Sequence, residues 1–294
     1  MTHIPVLAKE VLECIDPKPG EHIVDATIGE GGHTLLILEK TKPDGKVLGI
    51  DPDLYQIENA KVATAQYRER VILVNDSYAN IQDIIERTRF SPVHAILLDL
   101  GYSSWQLEQS TRGFSFQKDE ALDMRYNPQS DLTAGKIVNE YPEHSIEEIL
   151  QEYGQERFAK KIAKEIVVQR AREDIASTYQ LKNIIESVIP QKYQYGRIHC
   201  ATKSFQALRI AVNGELKNLE AALPDMISIL AHKGRLAVIS FHSLEDRIVK
   251  NFFKEQAKEH NVTMITKKPI VATREELLVN PRARSAKLRA IIKL

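Results

Sequence analysis

The chain has 294 residues, of which 43% are hydrophobic and 27% charged, and its formal net charge is zero. This length and composition suit one large domain or two moderate ones with a sizeable core, and they exclude wholesale disorder. A net charge of zero argues against a protein that binds nucleic acid over its whole surface. A polyanionic partner is therefore expected on a local cationic face, such as the basic stretch that runs from Arg247 to the end of the chain.

The sequence does not show the features of membrane-bound, exported or disulfide-linked proteins. No apolar run approaches the roughly 18 residues that span a bilayer. Charged residues interrupt the first fifteen positions, so the apolar core of a secretory signal is missing. Cys14 and Cys200 are too few for a disulfide framework and lack the spacing of metal ligands. We expect a reduced, cytoplasmic compartment, with no membrane and no metal.

The first hundred residues alternate between short β-rich runs and helical stretches. In chain order the predicted strands are His22–Ile28, Lys46–Ile50, Val71–Val74 and His94–Leu98. The predicted helices between them run through Leu35–Leu38, Leu54–Ala65 and Ile81–Arg87. Strands separated by helices of this length imply right-handed crossovers, so the pattern predicts an α/β fold with a parallel sheet.

A long insertion separates this region from the next predicted strand, Arg235–Phe241. A single crossover needs roughly 30 residues, so about a hundred residues have been added after Asp99. Apolar side chains at helical spacing predict that the insertion is helical, over Ile146–Tyr153, Phe158–Val167 and Leu181–Val188. We divide the chain into a first core part, 1–106, a helical insertion domain, 107–206, and a second core part, 207–294.

The return to the sheet is predicted as one long amphipathic helix from Phe205 to about Leu230. Pro224 is expected to break or kink it, and Gly234 to follow its end. Thr263–Val271 and Ser285–Leu294 are predicted as the last strands.

A glycine-rich segment, Asp25–Thr34, follows the first predicted strand and opens a helix. Gly29, Gly31 and Gly32 let the backbone approach a ligand, and the helix N-terminus offers free N–H groups. Asp51 ends the second strand, where doubly wound folds place a carboxylate that accepts hydrogen bonds from ribose hydroxyls. With Asp99 at the end of the fourth strand, the pattern predicts a nucleoside cofactor at the carboxyl edge of the sheet.

The details of this segment favour S-adenosylmethionine. Thr34 stands where the dinucleotide fingerprint needs a third glycine, and no P-loop motif is present, which disfavours NAD and a P-loop nucleotide. A carboxylate at Asp25 suits the ammonium and sulfonium groups better than a pyrophosphate. Tyr78, just beyond the third strand, is interpreted as an aromatic cover for the adenine or the sulfonium, with a half-buried packing tyrosine as the open alternative. Asp76 is interpreted equally well as a turn-forming residue before the loop that carries Tyr78.

Eight segments, in order along the chain, resemble those of the MraW/RsmH family of bacterial small-subunit ribosomal RNA cytosine-N4 methyltransferases. They are HIPVLAKEVL at His3–Leu12, GEGGHT at Gly29–Thr34, LLDLGYSSWQLE at Leu97–Glu108, RGFSF at Arg112–Phe116, LDMRY at Leu122–Tyr126, FQALRIAVNGEL at Phe205–Leu216, ISFHSLEDRIVK at Ile239–Lys250 and NPRARSAKLR at Asn280–Arg289. The chain departs from the usual family pattern at Ala26, Tyr78, Trp105, Glu108 and Gln155.

The resemblance implies a class I, Rossmann-like S-adenosylmethionine-dependent methyltransferase with an inserted helical domain. The cofactor positions it carries over are Gly31, Gly32, His33, Asp51, Tyr78, Asp99 and Gln106. It also implies methylation of the exocyclic N4 amine of a decoding-centre cytosine in 16S ribosomal RNA. The expected partner is the small ribosomal subunit, and the expected assembly is a monomer or a weak homodimer.

The chemistry of an exocyclic amine indicates which residues act on it. Its lone pair is delocalised into the ring, so the protein must accept hydrogen bonds from the N–H groups and hold the amine in line with the methyl group. Asp99 and the loop that carries Ser103, Ser104 and Trp105 are predicted to do so, with Trp105 or Tyr102 stacked on the base.

His242 follows the fifth predicted strand and is a candidate to take the departing proton. The alternative is that His242 and Asp246 cap and orient the next helix. Arg247 is interpreted as a phosphate contact or as a partner of Asp246. Methylation at cytosine C5 needs a cysteine nucleophile, and neither Cys14 nor Cys200 is predicted at the end of the fourth or fifth strand.

Two groups of residues are candidates for contacts with RNA. The first consists of basic side chains that could hold flanking phosphates: Lys136, Lys160, Lys161, Lys164, Arg170, Arg282, Arg284 and Arg289. The second is an aromatic and basic run in the insertion: Tyr193, Tyr195, Arg197 and His199. Two alternatives stay open, namely the same core acting on another RNA or on DNA, and a non-catalytic RNA-binding assembly factor.

Overall fold

The computed structural model describes residues 4–194, 196 and 198–294. They form two compact units, Met1–Tyr102 with Leu216–Leu294 and Ser103–Glu215, which we call the core unit and the insert unit. Within the described part of the chain, no helix is both long and apolar enough to cross a membrane.

The strands all belong to the core unit: β1 Ile23–Asp25, β2 Val47–Asp51, β3 Val71–Asn75, β4 Val93–Asp99, β5 Leu230–Ser240, β6 Val262–Met264 and β7 Lys287–Lys293. The helices in chain order are α1 Ala8–Ile15, α2 Gly32–Lys40, α3 Leu54–Ala63, α4 Ile81–Thr88, α5 Ser104–Glu108, α6 Ala134–Glu140, α7 Glu143–Glu152, α8 Ala159–Arg170, α9 Thr178–Val188, α10 Thr202–Asn213, α11 Glu215–Ile229, α12 Ser243–Lys258 and α13 Arg274–Val279. Short 3₁₀ segments lie at Ala65–Arg70, Tyr78–Asn80, Gln191–Tyr193 and Pro281–Ser285.

The sheet has the strand order β3-β2-β1-β4-β5-β7-β6. Neighbours from β3 to β5 run parallel, whereas β7 runs antiparallel to both β5 and β6. The strand order reverses between β1 and β4, and open α/β sheets bind ligands outside the carboxyl ends of strands at such a switch point. The predicted parallel α/β sheet is confirmed, and its topology places the functional edge at Asp25 and Asp99.

Helices cover both faces of this sheet. Side chains on one face, such as Val24 and Ile96, pack with buried residues of α4, α11 and α12. The alternate side chains, such as Ile23 and Leu97, pack with α1 and α2. Every residue of β1 and β2 is buried, as expected for central strands that are covered on both sides.

The insert unit has a hydrophobic core of its own. Buried residues of α6 to α10 form one cluster, in which Ile146, Ile162, Leu181 and Phe205 come from four different helices. The three helices predicted from apolar spacing are confirmed as α7, α8 and α9, and Ser177 caps α9 through a capping box with Gln180.

The prediction of one long helix that breaks at Pro224 was wrong. The break lies at Gly214, whose φ of +60° is left-handed and whose N–H bonds to the carbonyl of Ile210. Glycine adopts this conformation without a Cβ penalty, which is why it ends helices in this way. Pro224 lies inside α11 on an exposed position, and the helix continues because its other face is buried on the sheet.

Several strands begin or end at residues other than those predicted. Gly234 lies within β5 rather than after a helix, and β1 is shorter than predicted because the chain leaves the sheet after Asp25. The predicted strand Thr263–Val271 is extended only at β6, with an isolated bridge from Ile270 to Leu288.

Gly49 of β2 supports the glycine-rich segment through close packing. A Cβ atom at this position would lie 2.2 Å from Ile28 Cδ1 and 3.2 Å from Ile28 Cβ. We expect Gly49→Ala to displace Ile28 and to lower the free energy of unfolding by about 1–3 kcal/mol, as overpacking of a core does. Denaturant titration measures the loss.

The matched control is the double variant Gly49→Ala, Ile28→Val, which removes the clashing Cδ1 atom. We expect it to regain part of the stability lost by the single variant. Equal stability of both variants would show that this contact does not limit packing.

Candidate active site

The segment from Ala26 to Gly31, which we call the glycine loop, is anchored to both strands that flank β1. The N–H of Ala26 donates to the carbonyl of Leu97 at 2.9 Å, and the N–H of Ile28 donates to that of Ile50 at 2.9 Å. Gly29 and Gly31 have φ values of +51° and +85°, which L side chains rarely adopt. The loop is therefore a fixed turn that leads into α2.

Asp25 lies beneath this loop and is 1% exposed. Its Oδ2 accepts a hydrogen bond from Thr34 Oγ1 at 2.7 Å, and its Oδ1 accepts one from the N–H of Thr27 at 3.4 Å. Burial raises the pKa of the Asp25 carboxyl. Asp25 thus braces the loop against α2, a role that the sequence did not indicate, although Thr34 already stood out as the residue in place of a third glycine.

Asp51 lies at the end of β2 with its carboxylate turned towards the loop. Its Oδ2 accepts from the N–H of Gly29 at 3.1 Å, and its Oδ1 accepts from the N–H of Asp53 at 2.9 Å. Burial raises the pKa of this carboxyl to about 7. Each carboxylate oxygen accepts more than one hydrogen bond, so Asp51 retains capacity for the hydroxyls of a ribose.

Asp99 and His33 face each other across the switch point. The His33 Nε2 atom lies 3.6 Å from Asp99 Oδ2, which is longer than a hydrogen bond. This nitrogen is buried and has no hydrogen-bond partner among the described residues. An unsatisfied buried nitrogen is costly, so a polar ligand group at this place would satisfy it.

The loop after β4 is shaped by the ring of Phe241, which the sequence did not mark as part of the site. A Cβ atom on Gly101 would lie 2.8 Å from the ring of Phe241 and 3.3 Å from Asp99 Oδ1. The N–H of Gly101 also donates to Asp99 Oδ1 at 3.2 Å. The Phe241 ring therefore leaves no room for a side chain at position 101, and the N–H of Gly101 holds one oxygen of Asp99 in place.

Tyr78 begins a 3₁₀ segment after β3, is half-buried and packs against the core cluster on that face of the sheet. Asp76 forms the preceding turn, where its Oδ1 accepts from Ser77 N and Asn80 Nδ2 and its Oδ2 accepts from Arg87. Asp76 thus forms the turn, as its interpretation from the sequence had it. For Tyr78 the structure shows the packing contact, which was the alternative to covering the adenine or the sulfonium.

His242 is the N-cap of α12, in a capping box with Glu245. Its Nδ1 accepts from the N–H of Glu245 at 3.4 Å, and Glu245 Oε2 accepts from the N–H groups of His242 and Phe241. The Nε2 atom lies 3.0 Å from Glu245 Oε1, but off the direction that a hydrogen bond needs, so it is buried without such a bond in the described residues. The capping alternative is present in the structure for His242.

The predicted substrate loop begins the insert unit. Ser103 caps α5 through a capping box with Gln106, in which Ser103 N donates to Gln106 Oε1 at 2.9 Å and Gln106 N donates to Ser103 Oγ at 3.1 Å. The Trp105 ring lies 5.2 Å from the guanidinium of Arg112, within the range of a cation–π contact. The helix starts at Ser104, whose side chain lies outside the described residues.

Several predicted phosphate contacts have structural partners instead. Arg289 is buried and its Nε donates to Asp246 Oδ1 at 2.7 Å, whereas Lys287 lies 3.3 Å from Oδ2. Among the described residues, Asp246 thus pairs with these two and not with Arg247, and they hold the pKa of Asp246 below its usual range despite burial. The expectation that Arg289 contacts RNA was therefore wrong.

Other members of the predicted RNA-contact groups also have partners in the insert unit. Arg170 donates to the carbonyls of Val138 and Tyr141. His199 Nε2 lies 3.0 Å from Glu186 Oε1. Tyr195 and Arg197 lie outside the described residues.

This strand order, with a glycine loop after β1 and carboxylates at the ends of β1, β2 and β4, is the class I, Rossmann-like fold that the sequence predicted. The family model described as the MraW methylase family matches residues 1–294, and the chain belongs to this family. It is thus a methyltransferase that uses S-adenosylmethionine, as the sequence predicted.

Relatives of similar length support this assignment. The chain is 45% identical to the ribosomal RNA small subunit methyltransferase H of Heliobacterium mobile, with 99% of each chain covered. It is 46% identical to the protein of the same name from Heliobacterium modesticaldum, with 99% of this chain and 98% of the relative covered. The corresponding protein of Syntrophotalea carbinolica is 44% identical, over 99% of this chain and 98% of the relative.

The raised pKa of Asp51 leads to a pH dependence of cofactor binding. We expect the ribose hydroxyls to donate to the ionised Asp51 carboxylate, so S-adenosylmethionine should bind more weakly as the pH falls through about 7 and this group is protonated. Calorimetric titration between pH 5.5 and 8.5 measures the effect, with the affinity expected to level off above pH 7. The control Asp51→Asn should bind weakly with little pH dependence, and an unchanged profile in this variant would assign the titration to another group.

Proposed function

We propose that this chain transfers a methyl group from S-adenosylmethionine to the exocyclic N4 amine of a cytosine in the decoding centre of 16S ribosomal RNA. The observation that carries the proposal is Asp99, a carboxylate at the switch point whose Oδ2 is approached, among the described residues, by the unsatisfied His33 Nε2 alone. The names of the relatives, small-subunit ribosomal RNA methyltransferases, support the substrate. We place the activity in the cytoplasm.

The residues at the edge of the sheet fit S-adenosylmethionine, which when bound supplies an electrophilic methyl group. Gly29, Gly31 and Gly32 would leave room for the backbone to approach it, and Asp51 would accept from its ribose. His33 and Asp99 would meet its polar groups, Tyr78 its adenine, and the Gln106 amide would join them, as implied by family likeness. Asp25 holds the loop from below through Thr27 and Thr34.

Asp99 is suited to an amine nucleophile because its carboxylate accepts hydrogen bonds. A hydrogen bond from the N–H to Asp99 would localise the nitrogen lone pair and aim it at the methyl group. Ser103, Ser104 and Trp105 are also proposed to act on the amine, with Trp105 or Tyr102 stacked on the base. A flipped or unstacked base is the form in which enzymes reach such an atom.

The state of the two cysteines supports the amine over the ring carbon as the target. Attack on C6, which C5 methylation requires, uses a thiolate. Cys14 is buried, and burial raises the pKa of its thiol to about 11. Burial also raises the pKa of Cys200. Neither thiol is poised to ionise at neutral pH.

The test compares tritium transfer from S-adenosylmethionine to small subunits, naked ribosomal RNA and duplex DNA, followed by nucleoside analysis of the product. We expect N4-methylcytidine from small subunits. Signal on DNA alone would favour the alternative substrate, and heat of cofactor binding without transfer to any acceptor would favour an assembly factor.

Asp99→Asn keeps the shape of the side chain but removes its charge. We expect kcat for transfer to small subunits to fall on the order of a hundredfold or more, as when a preorganised electrostatic partner is removed. The control Asp76→Asn changes a carboxylate that holds the turn after β3 and pairs with Arg87, and it should retain kcat. Equal rates for wild type and Asp99→Asn would remove Asp99 from the mechanism.

His242 has two proposed roles, which one substitution separates. His242→Asn retains an acceptor for the first turn of α12, and asparagine is a good N-cap. The contact of His242 with the N–H of Glu245 supports a role in capping alone. In that case kcat should change by no more than a few-fold, and the free energy of unfolding by no more than a few tenths of a kcal/mol. A fall in kcat of about 10²- to 10⁴-fold with unchanged stability would instead identify His242 as the proton acceptor.

A further inference from the structure

The insert unit carries an exposed aromatic ring that is surrounded by cations. Tyr193 is 39% exposed, with the guanidinium of Arg157 5.2 Å and the ammonium of Lys192 5.0 Å from its ring centroid. The Phe158 ring lies 5.4 Å from that of Tyr193, and Arg157 Nη1 donates to the Tyr193 hydroxyl at 3.3 Å. We call these four residues the Tyr193 cluster.

Exposed lysines continue from this cluster along α8. Arg157 immediately precedes the helix cap, and Lys160, Lys161 and Lys164 follow on its exposed side. None of these three lysines has an ion-pair partner within the described residues, and the first turn of α8 contains no acidic residue. Positive charge at a helix N-terminus is unfavourable, so this arrangement has a local electrostatic cost.

The Tyr193 cluster and the lysines of α8 lie next to each other, because Arg157 is a member of the cluster and directly precedes the N-cap of α8. A tyrosine that serves only for packing would bury its ring, whereas Tyr193 stays open with two cations beside it. Aromatic side chains on which bases stack, together with lysines that follow the backbone, are the combination that binds single-stranded nucleic acid. Residues three or four apart on a helix have Cβ atoms about 5–6 Å apart, so the lysines offer a row of charges.

We propose that the Tyr193 cluster and Lys160, Lys161 and Lys164 bind a single-stranded segment of ribosomal RNA. One unpaired base stacks on Tyr193, and neighbouring phosphates contact the lysines. This inference rests on the proposed ribosomal RNA substrate. It adds a docking surface that lies within the insert unit, built from side chains that take no part in methyl transfer.

The first experiment measures binding of a short labelled single-stranded RNA by fluorescence anisotropy across a series of salt concentrations. The variant Lys160→Gln, Lys161→Gln, Lys164→Gln should flatten the dependence of log K on log salt by about 2, since each single-strand phosphate contact contributes roughly 0.7. The control Lys40→Gln, Lys42→Gln, Lys61→Gln removes the same charge from exposed positions of the core unit and should leave the slope unchanged. Equal loss from both triple variants would overturn the inference, because net charge rather than this surface would then hold the RNA.

The second experiment separates stacking from charge. Tyr193→Ala should weaken RNA binding at least about fivefold with an unchanged salt slope, because base stacking involves no counterion release. Tyr193→Phe retains the ring and should bind like the wild type. Wild-type affinity of Tyr193→Ala would overturn the proposed stacking.

Methyl transfer to small subunits then distinguishes the two proposals. If the surface only docks RNA, both Tyr193→Ala and the α8 triple variant should raise KM with little change in kcat. A wild type that methylates no small subunit contradicts the proposed function, while the anisotropy result still decides the docking surface. Transfer with unaltered KM in both variants contradicts the docking surface alone.

Discussion

The site depends on three carboxylates gathered at one edge of the sheet. Asp25 and Asp51 are buried, burial raises the pKa of both, and the neighbouring negative charges add to this effect. Like charges in a poorly solvated place destabilise one another. A ligand with a sulfonium and an ammonium group relieves this repulsion, whereas a pyrophosphate would add to it. The electrostatic cost in the free protein therefore selects a cationic nucleoside.

The rigidity of this edge comes from hydrogen bonds between loop and strands. The N–H of Asp99 donates to Thr27 Oγ1 at 2.7 Å, so the end of β4 is tied to the glycine loop that follows β1. Thr34 ties Asp25 to α2, and the Gly29 N–H ties the loop to Asp51. These bonds join the loop, α2 and three strands, so we expect the cofactor to meet a preorganised surface.

Local signals in the sequence were sufficient for the sheet, the helices of the insertion and the glycine loop, because periodicity and glycine spacing act over a few residues. They were not sufficient where the deciding contact is distant in sequence. The sequence suggested that Arg289 was available to contact RNA. In the structure it pairs with Asp246, which lies 43 positions away in the chain. The sequence pointed to Pro224 as the break, whereas the structure ends α10 at Gly214 and continues α11 through Pro224, because the apolar face of α11 is buried.

The three carboxylates differ in how many internal hydrogen bonds they accept, and this difference indicates a division of roles. Both oxygens of Asp25 and both of Asp51 are engaged by the protein. In Asp99 the Gly101 N–H engages Oδ1, while Oδ2 has, within the described part of the chain, only the longer approach of His33. A carboxylate that must accept a hydrogen bond from a substrate amine needs an oxygen that the fold has left available. We propose that Asp25 serves the loop, Asp51 the sugar, and Asp99 the reacting nitrogen.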